Sequence, residues 1–310
     1  MIENDGNLVH KSSIRGSEMQ KMIVDEFRKV TTARLAKKPE LAASFLPDFG
    51  IGCRRLTPGP GFLEALVEDN VNFITTGIDS IDEKGLLLVD GSRVDVDVVV
   101  CATGFNTSCV PPFPVTGSNG QTLAERFSPV PESYLTLMVD GFPNYFMMLG
   151  PNAGIGAGSL TVTIEGQADY VIKCIRKLQK EDYTSMVPKA ERVKDFSEYV
   201  GEYFKKTVYT DKCKSWYKVG GGEGEGERIS ALYPGSILHA REVWRAPRWE
   251  DFEYTSDEKN RLRWLGNGWS STLIEGGGDP SWYLNTNEVD LPPKKTPEKD
   301  QKYLNHPFSH

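Results

Sequence analysis

The sequence predicts an α/β protein, and three observations carry that expectation. The run 94–102 is rich in β-branched residues, with Val98, Val99 and Val100 in succession, the pattern of a strand buried on both faces. A second apolar run, Tyr145-Phe146-Met147-Met148-Leu149, ends in a glycine-rich turn. Directly after that turn, Leu160, Ile164, Ala168, Val171, Ile172, Ile175 and Leu178 recur at three- and four-residue intervals, the stripe of an amphipathic helix.

The remaining elements follow in chain order. Residues 1–17 are polar and read as a loose end. Met22, Ile23, Phe27, Val30 and Leu35 predict a helix over 18–35. The stretch Leu56-Thr57-Pro58-Gly59-Pro60-Gly61 breaks the chain. A short helix is expected over 62–67 and a strand over 71–74. Residues 78–81 and 86–89 alternate around turns, with Asp90-Gly91 a hairpin signal. The strands at 94–102 and 145–149 come next, then the long helix from Leu160 and a second one over 189–206. Residues 220–227 are all glycine and glutamate and read as a flexible loop. From about Arg248 the chain is rich in Trp, Asn and Gly, and the Pro/Lys run at 291–299 reads as an extended surface arm.

Composition narrows the function classes. An apolar content of 39% and a charged content of 25% are those of a soluble globular chain. The net charge of −7 argues against a nucleic-acid partner. No apolar run reaches the roughly 18 residues of a membrane span, and the N-terminus has no signal pattern, so a cytoplasmic location is expected. Cys53, Cys101, Cys109, Cys174 and Cys213 are scattered and form no CxxC pair, which suggests reduced thiols rather than a disulfide framework or zinc site. His10, His239, His306 and His310 have no ligand spacing, so no metal is expected.

Four segments could carry chemistry. Arg54 and Arg55 lie in Ile51-Gly52-Cys53-Arg54-Arg55-Leu56, and a guanidinium stays charged and offers a rigid fork of donors to an oxyanion or phosphate. An isolated arginine pair is more often a surface pair engaged by carboxylates. Ala102-Thr103-Gly104-Phe105 closes the valine run, where a glycine lets a cofactor or another backbone approach. Gly150-Pro151-Asn152-Ala153-Gly154-Ile155-Gly156-Ala157-Gly158-Ser159 opens the long helix. Its spacing is not GxGxxG, so it is a glycine turn at a helix N-terminus, where anions are favoured, or a tight packing turn. Ser215-Trp216-Tyr217 precedes the Gly/Glu loop.

In this order, these segments resemble the second half of a Baeyer–Villiger-type (class B) flavin monooxygenase of the kind found in fungal secondary metabolism. The resemblance implies part of a two-dinucleotide-binding-domain flavoprotein fold. A remnant NADP domain with its β-meander would span 18–102, the C-terminal part of the FAD domain 103–255, and a tail arm 256–310. It implies that Arg55 is catalytic, stabilising the anion that forms on the flavin and the rearranging intermediate, and that Arg54 contacts an NADPH phosphate. Thr103, Gly104, Phe105, Gly150, Pro151, Asn152, Leu160 and Trp216 would face cofactor. Ile155, Gly156 and Ala157 would line the substrate side.

The family's two GxGxxG turns and its His/Trp fingerprint are absent from this sequence. FAD and NADPH are therefore implied by resemblance, and neither is expected to bind tightly to this chain alone. Leaving four apolar side chains of one strand without their sheet forfeits about 6–12 kcal/mol, against a net domain stability of about 5–15 kcal/mol. A homodimer, a complementing flavoprotein chain or the chain's own tail is expected to cover them. The implied reaction is oxygenation of a ketone-containing polyketide or terpenoid intermediate. Two alternatives stand beside it: a flavin-free relic catalysing a cyclisation, isomerisation or rearrangement, and a non-catalytic binding partner.

Overall fold

A computed structural model describes residues 6–55, 60–156, 159–224, 226–268 and 281. Its helices are α1 (Gly6–Ser13), α2 (Glu18–Arg34), α3 (Ala42–Phe45), α4 (Phe62–Leu66), α5 (Leu123–Arg126), α6 (Leu160–Glu181), α7 (Ala190–Phe204) and α8 (Ile237–Val243). Strands β1 (Ile78–Asp82), β2 (Gly85–Leu88) and β3 (Arg93–Asp95) form an antiparallel meander. Strands β4 (Ser185–Pro188) and β5 (Phe252–Thr255) form a two-stranded antiparallel ribbon.

The helices sit where their caps and patterns place them. Ser17 caps α2 by accepting from the Gln20 amide, and Ser236 caps α8 by accepting from His239, each meeting one orphan N–H of a first turn. The β2–β3 turn holds Gly91 at φ +82°, a conformation that suits glycine. Residues 6–17 are less loose than their polarity suggests. Helix α1 occupies part of them, and Arg15 donates to the carbonyls of Lys205 and Thr207 and to Asp211.

The main core gathers Tyr134, Leu137, Met138, Tyr170, Cys174, Met186, Ala240, Trp244 and Phe252 from α6, α8, the ribbon and the coil before α6. Tyr134 packs edge-on against Phe252 and donates to the Asp251 carboxylate at 2.6 Å. Helix α6 meets this core through Thr163, Gly166, Gln167, Tyr170 and Cys174. That is a correction to the sequence reading. Of the predicted stripe, Val171 and Leu178 do pack against this core, whereas Leu160, Ile164, Ile172 and Ile175 lie about a third of a turn away from the buried face and are exposed, Ile172 to 52%. Polar residues won the core side because Gln167 bridges two backbone segments, donating to Thr136 Oγ1 at 2.9 Å and accepting from Leu149 N at 3.0 Å.

Three expected strands are absent from the described residues. At 71–74, the Val71 carbonyl is taken by Lys38 Nζ, which also binds the Leu66 and Glu68 carbonyls. At 145–149, Met147 N bonds Leu137 O, and left-handed backbone at Asn144 and Leu149 bends the run out of extended form. At 94–102, pairing stops with β3 at Asp95, and Val98 and Val100 face outward, Val100 to 83%. The valine run has the composition of a buried strand and no neighbouring strand beside it here. The Gly/Glu loop also differs from expectation. Lys218 Nζ donates to Gly224 O at 2.7 Å and Glu227 accepts from Gly224 N at 3.0 Å, so the loop is pinned. The run at 291–299 lies outside the described residues. No helix among the described residues is long and apolar enough to cross a membrane.

Candidate functional site

The arginine pair projects from a segment that is anchored just before it. Ile51 and Cys53 are buried, and Arg54 and Arg55 are exposed. Buried Gln20 of α2 donates to the Ile51 carbonyl at 3.1 Å. Asp211 accepts from the Gly50 amide at 2.8 Å and, through its other oxygen, from Arg15 at 2.7 Å. One carboxylate thus ties the arginine segment to the α1–α2 junction. A β-carbon on Gly50 would approach Val208 to 2.5 Å, so the two segments lie backbone against side chain.

The sequence suggested reduced thiols, yet Cys53 and Cys213 form a disulfide with Cα atoms 6.5 Å apart and 160 residues between them. No spacing rule reveals such a pair. Closing a loop of that length stabilises a fold by roughly 5 kcal/mol. Cys101, Cys109 and Cys174 are free.

Among the described residues, neither Arg54 nor Arg55 has an ion-pair or hydrogen-bond partner, whereas Arg34 is held by both oxygens of Glu64. The Arg55 charge is felt by buried Tyr217. Burial raises the pKa of that phenol, and the guanidinium partly offsets the rise. Trp216, next in sequence, is 44% exposed, with its ring edge-on to Tyr217 at 4.6 Å. Lys218 is fully buried and donates to the carbonyls of Asp211, Cys213 and Gly224. Desolvation lowers its pKa, opposed by the charges of Glu227 and Asp211. Asp211, Tyr209 and Lys218, which organise this region, carry no motif that would single them out in the sequence.

The turn before α6 reaches the same region through Tyr209. A β-carbon on Gly156 would come within 2.3 Å of the Tyr209 hydroxyl, and the Tyr209 ring lies edge-on to Tyr217 at 5.8 Å. The other glycines are packed as tightly: a β-carbon would meet Thr136 O at 2.5 Å from Gly150 and Ala231 O at 2.7 Å from Gly154. Asn152 is buried, its amide nitrogen donating to Ile229 O and Leu232 O. The Pro151 carbonyl accepts from Ser133. Packing therefore accounts for these glycines and for the Asn152 amide group. Ile155 and Gly156 stand over a cavity of about 30 Å³, room for one water. Leu160 is exposed at the start of α6, where the Ser159 side chain makes no capping bond. Ala157 lies outside the described residues.

Thr103, Gly104 and Phe105 stand apart. They are exposed, Phe105 to 97%, with Gly104 at φ +95°. Among the described residues, no hydrogen bond or ring contact joins them to the arginine pair or the glycine turn. No group of three or more metal-ligating side chains occurs among the described residues.

Comparison with known proteins gives a consistent pattern. No family model matches the sequence. The chain is 38% identical over 291 residues to the FAD-binding monooxygenase moxY of Dothistroma septosporum, covering 93% of this chain and 46% of that protein. It is 37% identical to the FAD-binding monooxygenase tazF of Aspergillus terreus, covering 91% of this chain and 50% of the relative. A Baeyer–Villiger monooxygenase of Streptomyces coelicolor is 31% identical over 72% of this chain. In fold it resembles cyclohexanone monooxygenase from Rhodococcus bound to NADP+, with a TM-score of 0.68, 22% identity and coverage of 79% of this chain and 46% of that one. Steroid monooxygenase bound to NADP gives a TM-score of 0.67 at 24% identity, over 79% of this chain and 47% of that one. The chain spans about half the length of the relatives it matches.

Proposed function

By sequence and fold the chain corresponds to about half of an FAD-binding, Baeyer–Villiger-type monooxygenase, and we propose that it supplies the arginine pair and the substrate-side turn of such an enzyme. The observation that carries this reading is Arg55, without a partner among the described residues and held on an anchored segment near enough to Tyr217 for its charge to be felt there. A guanidinium kept free of carboxylates is available to an anionic group.

The residues present fit a bound redox cofactor. Two unpaired guanidiniums, an exposed indole and the first turn of a 22-residue helix favour anions and a planar ring. When bound, the flavin would supply oxygen activation and NADPH the reducing electrons. Arg55 then stabilises negative charge that develops beside it, in a position fixed before the reaction starts. Arg54 binds a nucleotide phosphate, Trp216 covers the nucleotide and substrate, and Ile155 and Gly156 border the substrate. Thr103–Phe105 and Leu160 face cofactor once the remaining half of the fold is in place. The substrate is a ketone-containing secondary metabolite. The water-sized cavity under Ile155 is too small for it, and in this reading the substrate lies between this half and the other.

The test is reconstitution. The chain is mixed with the remaining portion of the Dothistroma relative, and ketone-dependent NADPH oxidation is measured with added FAD. Ketone-dependent turnover that Arg55→Ala abolishes supports the reading. Turnover of an already oxidised intermediate with neither FAD nor NADPH would replace it with non-redox chemistry.

A further inference from the structure

We propose that the Cys53–Cys213 disulfide is a thiol-sensitive tether that fixes the arginine pair against the Trp216 loop. Cys53 lies two residues before Arg55, and Cys213 three before Trp216. The bond therefore joins the two segments that the proposed site needs together.

Among the described residues, the other attachments of the arginine segment lie on the N-terminal side of the arginines. On its N-terminal side the arginine segment is fastened repeatedly, by Gln20 to Ile51 O, by Asp211 to Gly50 N, and by Cys53 N to Gly50 O. On the C-terminal side, the next backbone hydrogen bond among the described residues is Ala65 N to Gly61 O. Cys53 is thus the last fixed point before Arg54 and Arg55. The Cys213 side is rigid without the bond, because Lys218 grips the carbonyls of Asp211, Cys213 and Gly224. In this proposal, breaking the bond leaves the Trp216 loop in place and loosens the arginines, which among the described residues have no other tether beyond Cys53.

The chemistry is reversible. A peroxide takes two electrons from the two thiols, giving the disulfide and, for hydrogen peroxide, two waters. A dithiol reverses it: one thiolate attacks a sulfur, a mixed disulfide forms, and the second thiol displaces it as the dithiol becomes oxidised. Cys53 is fully buried and Cys213 is 4% exposed, so attack falls on Cys213 and favours small dithiols. The consequence for catalysis rests on Arg55 serving the proposed site, but the tether itself is read without turnover.

The experiment compares the purified full chain before and after dithiothreitol. Thiol titration in denaturant is expected to find three free thiols before reduction, those of Cys101, Cys109 and Cys174, and all five after it. Limited trypsin digestion, followed by mass spectrometry, is expected to cut after Arg54 and Arg55 about tenfold faster in the reduced protein. Cleavage after Lys194 on α7 should rise less than cleavage after Arg54 and Arg55, since it reports only the bond's contribution to the whole fold. The Cys213→Ser chain should be cut at the fast rate with or without dithiothreitol. Five free thiols before reduction would overturn the proposal, as would equal cleavage in both states. Parallel acceleration at Lys194 would overturn it too, because the bond would then hold the whole fold rather than the arginine segment.

Discussion

The Tyr209 hydroxyl fills the space a side chain at position 156 would need, with 2.3 Å to a β-carbon placed on Gly156. The turn before α6 and the segment that carries Asp211 and Cys213 are therefore in register at one contact. Gly156→Ala should destabilise the chain by about 1–3 kcal/mol through overpacking, measured as a lower urea midpoint. Adding Tyr209→Phe, which removes the clashing oxygen, should restore part of that loss.

Arg55 is exposed and has no partner among the described residues, so its removal should cost almost nothing in folding. Arg55→Ala is expected to change stability by less than about 0.5 kcal/mol and to lower the reconstituted turnover by about 10²–10³-fold. Arg55→Lys should not recover it, because an ammonium lacks the planar fork. Urea denaturation and single-turnover rates check the two halves of this expectation.

The two faces of α6 make opposite predictions. Tyr170 is fully buried, and Tyr170→Ala should destabilise the chain by about 3–5 kcal/mol, as loss of a large buried aromatic does. Ile164→Asp with Ile172→Asp should leave the isolated chain's midpoint within about 0.5 kcal/mol. The same double variant should fail to co-elute with the remaining half of the fold in size-exclusion chromatography, because it puts two charges on an apolar face without a partner among the described residues.

The contrast marks how far the sequence could be read. Helices α2, α6 and α7 were legible because their apolar periodicity is local. The facing of α6 was not, since an apolar stripe says only that something covers it, and here the core took the side carrying Gln167 and Tyr170. The same logic misplaced the 94–102 run: Val98–Val100 records a sheet that the described residues do not supply. Arg54 and Arg55 were legible by motif. Their supports were not, because Asp211 and Cys213 reach them from about 160 residues away, and no local pattern encodes that contact.

His10 and His239 should make the fold acid-sensitive. Burial lowers the pKa of both, and repulsion from His239 lowers that of His10 further, while Glu242 partly opposes the shift at His239. Their rings meet the hydroxyls of Tyr203 and Tyr233 at 3.0 Å. The unfolded chain then binds more protons as pH falls below about 6.5. Stability should be full above that pH, fall as pH drops toward the depressed folded values, and level off below them. Urea midpoints between pH 8 and pH 5 should show this fall, and replacing both histidines with glutamine should flatten it.

Ketone-dependent NADPH oxidation by the chain joined with the remaining portion of its Dothistroma relative tests the role of the Arg55 guanidinium most directly. The expected result is turnover in the reconstituted complex that disappears with Arg55→Ala while the bound flavin's visible spectrum remains. Equal turnover with and without the Arg55 guanidinium would contradict the account.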